Sequence, residues 1–262
     1  MDQRIFRYYS DLTKHYRRYG GDLGFHYGVW DEGMSSLGQA LVRANELLLE
    51  DLEIGAEGRV LDMGCGIGSF AVRCARRYGC RVVGVNSCVD HLRTARRLAK
   101  QETVCYAPDT RAYLAAVRRL LRPGGRWRAI AFSVREGALE GLDAELYRRV
   151  LAGFILPPLA PASEMLDALR EAGFEDCSAE DVTSHTDRTS RHIVRLCRIL
   201  LAPIRLRLDW LVFREGSVSR SNHCGHFDAG DAYSRGLLRR SMRHQLYRAR
   251  RPDGGAGGEP EP

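Results

Sequence analysis

Between residues 59 and 69 the chain reads Arg-Val-Leu-Asp-Met-Gly-Cys-Gly-Ile-Gly-Ser, and this stretch holds the residues best suited to grip a ligand. Glycine reaches positive φ freely and leaves no Cβ between ligand and backbone, so Gly64, Gly66 and Gly68 predict a turn that closes around a polar molecule. Asp62, just before the first glycine, is placed to accept hydrogen bonds from whatever the turn holds. No Gly-Lys-Ser/Thr follows to cradle a triphosphate, and the acid comes ahead of the glycines, which separates this spacing from the related dinucleotide turn. A tight turn with no ligand is the plain alternative. A second candidate is Asn86, which ends the apolar run Arg81-Val-Val-Gly-Val-Asn86. That is where a group holding a ribose hydroxyl stands in nucleotide-binding sheets, although Asp or Glu is usual there and Asn86 also reads as a simple strand end.

These residues need a frame. Val60 and Leu61 predict the end of a buried parallel strand, residues 69 to 78 the helix opened by the turn, and 81 to 86 a second strand. A ligand then sits in the crevice beyond the carboxyl ends of the strands. Downstream, Trp127 to Val134 predicts a strand and 141 to 155 a helix. A helix over 163 to 172, capped by Ser163 and stopped by Gly173, leads to a strand from Phe174 to Val182. Met242 to Arg250 predicts a final edge strand pairing antiparallel, and Pro252 to Pro262 a disordered tail. The fold class expected is α/β, a doubly wound Rossmann-like sheet.

Outside that core, Ile5, Tyr9, Leu12, Tyr16 and Tyr19 recur at helical spacing, and Gly24-Phe-His-Tyr-Gly-Val-Trp30 is a ring-rich loop. Both read either as packing on the sheet or as a lid over ligand. A helix from Met34 to Leu52 leads into the first strand. Residues 186 to 213 set Ile193, Leu196, Leu200 and Leu201 among Arg191, Arg195, Arg198, Arg205 and Arg207, and Pro203 divides them into two helices. Such a stretch caps an apolar pocket or lies on a membrane surface. His223, Cys224, His226 and Asp228 have ligand chemistry but lack a second ligand pair at zinc-site spacing, so no metal is expected and they read as a loop entering a helix over 229 to 240.

Composition narrows the class. The formal charge of +7 arises from 40 Lys and Arg against 33 acids, but the cations are scattered and carry no recognition motif, which argues against nucleic acid as a partner. The eight cysteines form no CxxC pair and fall inside expected elements, which predicts reduced thiols in a cytoplasmic protein. The amino terminus has no signal-peptide pattern, and no apolar run suffices to span a bilayer, so no stable membrane insertion is expected.

The run Asp62-x-Gly64-x-Gly66-x-Gly68 resembles the first motif of class I S-adenosylmethionine (SAM) methyltransferases. The resemblance implies that the glycines make room for the amino-acid end of SAM and that Asp62 contacts its ammonium. Tyr8-Tyr9-Ser-Asp-Leu-Thr-Lys-His-Tyr16 with Phe25-His26 resembles the amino-terminal region of sterol and tocopherol C-methyltransferases, which makes Tyr9, Tyr16 and His26 candidate walls of a substrate cavity. Glu102-Thr-Val-Cys-Tyr-Ala-Pro108 resembles a signature of the sterol enzymes, implying Glu102 and then Tyr106 as catalytic residues. Between the helix expected over 89 to 100 and this segment, roughly thirty residues, the size of one strand-helix-strand repeat, are missing relative to that family. The acid that contacts adenine goes with them.

The resemblance implies a helical lid (1–56), a SAM-binding core (57–182), a helical substrate cap (183–240), a final strand (241–251) and a tail (252–262). The activity expected is C-methylation of an apolar isoprenoid or alkaloid-like small molecule, its cation facing Tyr9, Tyr16 or Trp30 and its proton passing to Glu102 or His26. O- or N-methylation of a natural product, with His26 as base, is one alternative. A catalytically degenerate relative is another. An unpaired edge in the middle of the sheet would favour pairing with a second copy.

Overall fold

The computed structural model describes residues 26–86, 91, 110–206 and 219–253. The first helix, α1 (Leu37–Leu47), starts where its sequence supplies a cap: Ser36 Oγ accepts from Gln39 N at 3.3 Å, and Gln39 Oε1 accepts from Ser36 N at 3.0 Å. This reciprocal pair contributes about 1 kcal/mol, and the helix begins at it rather than at Met34. Its buried stripe, Ala40, Leu41, Ala44 and Leu47, faces the sheet.

Next come β1 (Arg59–Met63), α2 (Ser69–Tyr78) and β2 (Arg81–Val85), with β1 and β2 parallel in the register Val60 opposite Val82 and Leu61 opposite Val83. Val60 and Val82 pack with Leu49, Phe70, Cys74 and Cys80, so α2 covers that face. The other face is open: Leu61 is 38% and Val83 53% exposed, unusual for strands of a parallel sheet. Helix α2 stops at Gly79, whose φ of 67° closes its last turn in the left-handed region.

The second half holds α3 (Thr110–Leu120), β3 (Arg126–Val134), α4 (Gly141–Phe154), α5 (Ala162–Glu171), β4 (Glu175–Asp181), α6 (Asp187–Arg205), α7 (Ser219–Leu238) and β5 (Met242–Arg250). The last strand pairs antiparallel, as expected, but it is not the edge strand that its sequence suggests: it enters the middle of its sheet, between both neighbours in the order β3-β5-β4. Being central, it is buried along most of its length. One face carries Ile130 and Leu246 against α1 and Val182, then Phe132 and Met242 against Leu146 and Val150 of α4 and Tyr233 and Leu237 of α7. The opposite face carries Trp127 and Ala249 against α3 and α5. Among the described residues β1 pairs only with β2, and β3 only with β5, so the described strands form a two-stranded and a three-stranded sheet.

Three local expectations are corrected. The cap of α5 is Pro161, which makes no side-chain bond; Ser163 lies inside the helix. Helix α6 runs through Pro203 to Arg205 without dividing. Proline removes only one amide donor, and so close to the helix end that loss is tolerated. Helix α7 begins at Ser219, so the segment His223 to Asp228 is helical. The cause is a close crossing with α4: a Cβ on Gly153 would stand 2.1 Å from the carbonyl oxygen of Gly225, so two glycines let the backbones touch.

Candidate functional site

The glycine turn is built on β2. Gly64 N and Cys65 N both donate to the carbonyl of Val85, at 2.5 and 2.9 Å, and Gly68 N donates to Cys65 O at 2.7 Å. Gly84 makes this possible, because a Cβ there would lie 3.0 Å from the Cys65 side chain. Gly64, Gly66 and Gly68 take φ values of 91°, 51° and 84°, which L side chains rarely adopt. A Cβ on Gly64 would meet nothing within 4 Å, and one on Gly66 only the Gly64 carbonyl at 4.0 Å. Among the described residues the turn is therefore open at Gly64 and Gly66, and it leads directly into the amino terminus of α2.

Asp62 stands beside it with its Oδ2 buried and without a hydrogen-bond partner. Burial raises its carboxyl from 3.8 to about 7. An unpartnered carboxylate at the mouth of an open turn is a receptor for a cation that also donates hydrogen bonds, such as an ammonium. The same burial, with the Asp62 charge second, pushes the Cys65 thiol up to about 12, so Cys65 packs as a neutral group. Asn86 follows β2, and its Nδ2 lies 3.1 Å from Nδ1 of the buried His91. That bond fixes the amide plane and leaves the carbonyl oxygen of Asn86 for a donor. His91 carries no signal in the sequence, since nothing in its spacing separates it from a core histidine.

On the far side of the described chain a cluster of rings gathers where β3, β5, α4 and α7 meet the loop after residue 26. Tyr27 is edge-on to Phe132 at 6.2 Å and to Tyr233 at 5.3 Å, Phe132 lies 4.1 Å from Tyr233, and Phe154 lies 5.2 Å from His226. His244 joins them from β5, 5.8 Å from Tyr27 and from Phe132. The Tyr233 hydroxyl donates to Arg243 O at 2.9 Å, so its oxygen is left to accept from His244 Nδ1 at 3.3 Å. The proton then resides on Nδ1, and the buried Nε2 keeps a lone pair with no partner. Burial, with His26 nearby, lowers His244 from 6.5 to about 4, so it stays neutral.

Of the residues expected to touch substrate, His26 is exposed, with Nδ1 3.2 Å from Tyr27 O, a contact that a protonated Nδ1 makes as donor. Trp30 donates from Nε1 to Thr189 Oγ1 at 2.8 Å, and its ring carries the Arg188 guanidinium at 4.1 Å, so Trp30 fastens the loop to α6. Tyr9, Tyr16, Glu102 and Tyr106 lie outside the described residues. The ring cluster itself is only partly legible in the sequence: Tyr27 sits in the ring-rich loop, while Phe132, Phe154, Tyr233 and His244 each resemble ordinary core positions. Asp228, from the His-Cys-Asp group, is held by Arg149 at 2.7 and 2.9 Å, and no three metal-binding side chains converge among the described residues.

Comparison with known proteins agrees with this frame. A family model, mycolic acid cyclopropane synthetase, matches residues 11–105. Methyltransferase GfsG of Streptomyces halstedii is 29% identical over 67% of this chain and 74% of its own length. The 27-O-demethylrifamycin SV methyltransferase of Amycolatopsis mediterranei is 29% identical over 62% and 70%. Sterol 24-C-methyltransferase of Eremothecium gossypii is 26% identical over 69% of this chain, which spans 56% of the yeast protein. Among solved structures, the [4+2]-cyclase SpnF superposes with a TM-score of 0.71 at 21% identity over 96% of both chains. A geranyl diphosphate methyltransferase crystallised with GPP and sinefungin superposes at 0.68 and 18% identity, over 95% of this chain and 98% of its own.

With the similarity to curated methyltransferases, the α/β fold and the glycine turn with its orphan carboxylate are those of a SAM-dependent methyltransferase. Within that class the chain is similar to the group that includes the sterol 24-C-methyltransferases and the mycolic acid cyclopropane synthetases. The cofactor of the group is S-adenosyl-L-methionine, and the residues present fit it: Asp62 lacks a cation, and Gly64 and Gly66 leave the space.

Proposed function

We propose that the protein methylates a carbon of a double bond in an apolar isoprenoid or alkaloid-like small molecule. The observation that carries the cofactor half of this reading is the buried, unpartnered Oδ2 of Asp62 beside an open glycine turn. What supports the carbon acceptor is similarity to sterol 24-C-methyltransferases and to the geranyl diphosphate methyltransferase fold.

When bound, SAM supplies an electrophilic methyl group on a sulfonium. Asp62 would take the ammonium of its amino-acid end, and the backbone of Gly64 to Gly68 would let that end approach. The Asn86 carbonyl oxygen, oriented through His91, would accept from a ribose hydroxyl. The acceptor's double bond would attack the methyl carbon in line, forming a carbon–carbon bond as the carbon–sulfur bond breaks. Rings of Tyr9, Tyr16 and Trp30 would face the cation left on the acceptor, loss of a proton to Glu102 or His26 would restore neutrality, and Tyr106 is the second catalytic candidate beside Glu102. Most of the rate would come from positioning and exclusion of water.

O- or N-methylation of a natural product, with His26 as base, is the second reading, favoured by the similarity to the rifamycin methyltransferase. A catalytically degenerate relative is the third, motivated by the absent repeat. Calorimetric titration with S-adenosylhomocysteine comes first: micromolar binding supports the cofactor site, and a folded chain that does not bind supports the third reading. Mass analysis of products from prenyl and alkaloid acceptors then separates the first two. A new carbon–carbon bond supports C-methylation, and a methyl ether or methylamine alone refutes it.

A further inference from the structure

Helix α6 turns its inner face, Ile193, Cys197 and Leu201, toward the protein, with Gly230 of α7 in contact with Ile193 and Cys197. Its outer face carries a run of cations. Arg188, Arg191, His192, Arg195 and Arg198 are all exposed, and the spacing 188, 191, 195 puts three guanidinium groups on one line. That line continues through position 199 to 206, where Ile199 is 70% and Leu206 68% exposed, the two most exposed large aliphatic side chains among the described residues. The only acid on α6, Asp187, is engaged by Arg240 at 2.6 Å and reached by Arg191 at 3.7 Å. Arg195 and Arg198 form no ion pair among the described residues.

A solvated arginine face ordinarily has acids between its cations and no large aliphatic residue in line with them. Here charge and exposed hydrocarbon occupy one face, which is the arrangement of a helix lying in the headgroup plane of a bilayer. We propose that the outer face of α6 binds an anionic lipid surface, with Arg191, Arg195 and Arg198 on the headgroup phosphates and Ile199 and Leu206 entering the acyl boundary. Charge complementarity selects an anionic over a neutral bilayer, and the aliphatic pair selects a bilayer over a soluble acidic protein. No described helix is long and apolar enough to cross a membrane, so the contact is peripheral. It does not depend on which acceptor is methylated.

The test is sedimentation of the full chain with phosphatidylcholine vesicles, with and without about one third phosphatidylglycerol. Binding to the anionic vesicles alone, weakened by salt, is the expected result. Each arginine near such a surface is worth about fivefold, so R191Q/R195Q/R198Q should lower the partition coefficient about a hundredfold. I199S/L206S should lower it at least tenfold on the same vesicles. Unchanged circular dichroism and melting temperature show that both variants fold. Equal binding to neutral vesicles, no binding to either kind, or wild-type partitioning by the triple variant overturns the proposal. Capture of an acidic protein without vesicle binding overturns it equally.

Discussion

Asp62→Asn should make the ligand-free protein more stable and the cofactor site useless. In the folded chain the carboxyl is raised from 3.8 to about 7 by burial, with no partner for Oδ2. Below pH 3.8 it is neutral folded and unfolded, so it costs nothing. Between 3.8 and about 7 the folded protein holds a proton that the unfolded chain has released, so stability falls as pH rises. Above about 7 the full penalty applies, and three pKa units correspond to about 4 kcal/mol. Asparagine removes the charge but leaves a partly buried amide without a partner, which costs about 1–2 kcal/mol. The net gain at pH 8 is then about 2–3 kcal/mol, or about 5–10 °C in melting temperature for a chain of this size. At pH 4 the gain should vanish. Wild-type protein should bind S-adenosylhomocysteine more tightly as pH rises through 7, and the variant should bind it at least a hundredfold more weakly. Melting curves at both pH values and calorimetry decide the matter. A D62N protein that melts lower than wild type at pH 8, or that keeps its affinity, refutes the placing of the ammonium on this carboxylate.

Other outcomes follow from the same geometry. Gly66→Arg should abolish S-adenosylhomocysteine binding by filling the open turn, whereas Gly66→Ala, at φ 51°, should cost about 1–2 kcal/mol of stability while leaving measurable affinity in the same calorimeter. Glu102→Gln should spare cofactor binding and slow turnover; equal loss of affinity in Glu102→Gln and Gly66→Arg would sink the division of roles. His244 is neutral, with its pKa lowered from 6.5 to about 4, so the unfolded chain takes up more protons in that window and His244 removes stability as pH falls through it. His244→Phe should flatten the acid limb of a denaturation profile between pH 6.5 and 4, and a limb unchanged in steepness would count against a buried neutral imidazole. Tyr233→Phe, which loses the bond to Arg243 O, should lower stability by about 1–2 kcal/mol in a urea titration.

Much of the fold is legible in the sequence because it rests on short-range rules. The glycine turn follows from spacing and the stop of α2 from Gly79, whereas helical spacing alone starts α1 too early, at Met34, and passes over the Ser36–Gln39 capping pair that sets its true start. What escapes is decided by distant partners. Pro203 argues for a break in α6, yet the buried Cys197 and Leu201 hold the helix to its course until proline's missing donor matters little. His223 to Asp228 looks like a loop of ligands, and only the crossing of Gly225 with Gly153 makes it helix. His91 and His244 are indistinguishable in sequence from packing histidines. Their significance lies in what their nitrogens reach: one orients Asn86, the other receives nothing on Nε2.

A repeat absent by the resemblance and the proposed cofactor site could coexist, because among the described residues the turn draws its support from one side only. Gly64 and Cys65 bond to Val85, Gly84 yields room to Cys65, and Val60 and Val82 are covered by α2. None of these contacts involves a strand beyond β2 or between β1 and β3. By the resemblance, an absent segment would take with it the acid for adenine, whereas Asp62 and Asn86, proposed for the ammonium and ribose, stand at the ends of β1 and β2. Cofactor affinity would therefore rest on the amino-acid end of SAM more heavily than in an unbroken sheet, and Asp62 would carry a larger share of it. The cost falls on the sheet, where the Leu61 and Val83 side chains are left to solvent on a two-stranded piece. A two-stranded parallel sheet has little stability of its own, so β1 and β2 depend on α2 and the cluster around Leu49 and Cys74 for their position. Loosening that cluster would move Asp62 before it disturbed the three-stranded piece that carries the ring cluster.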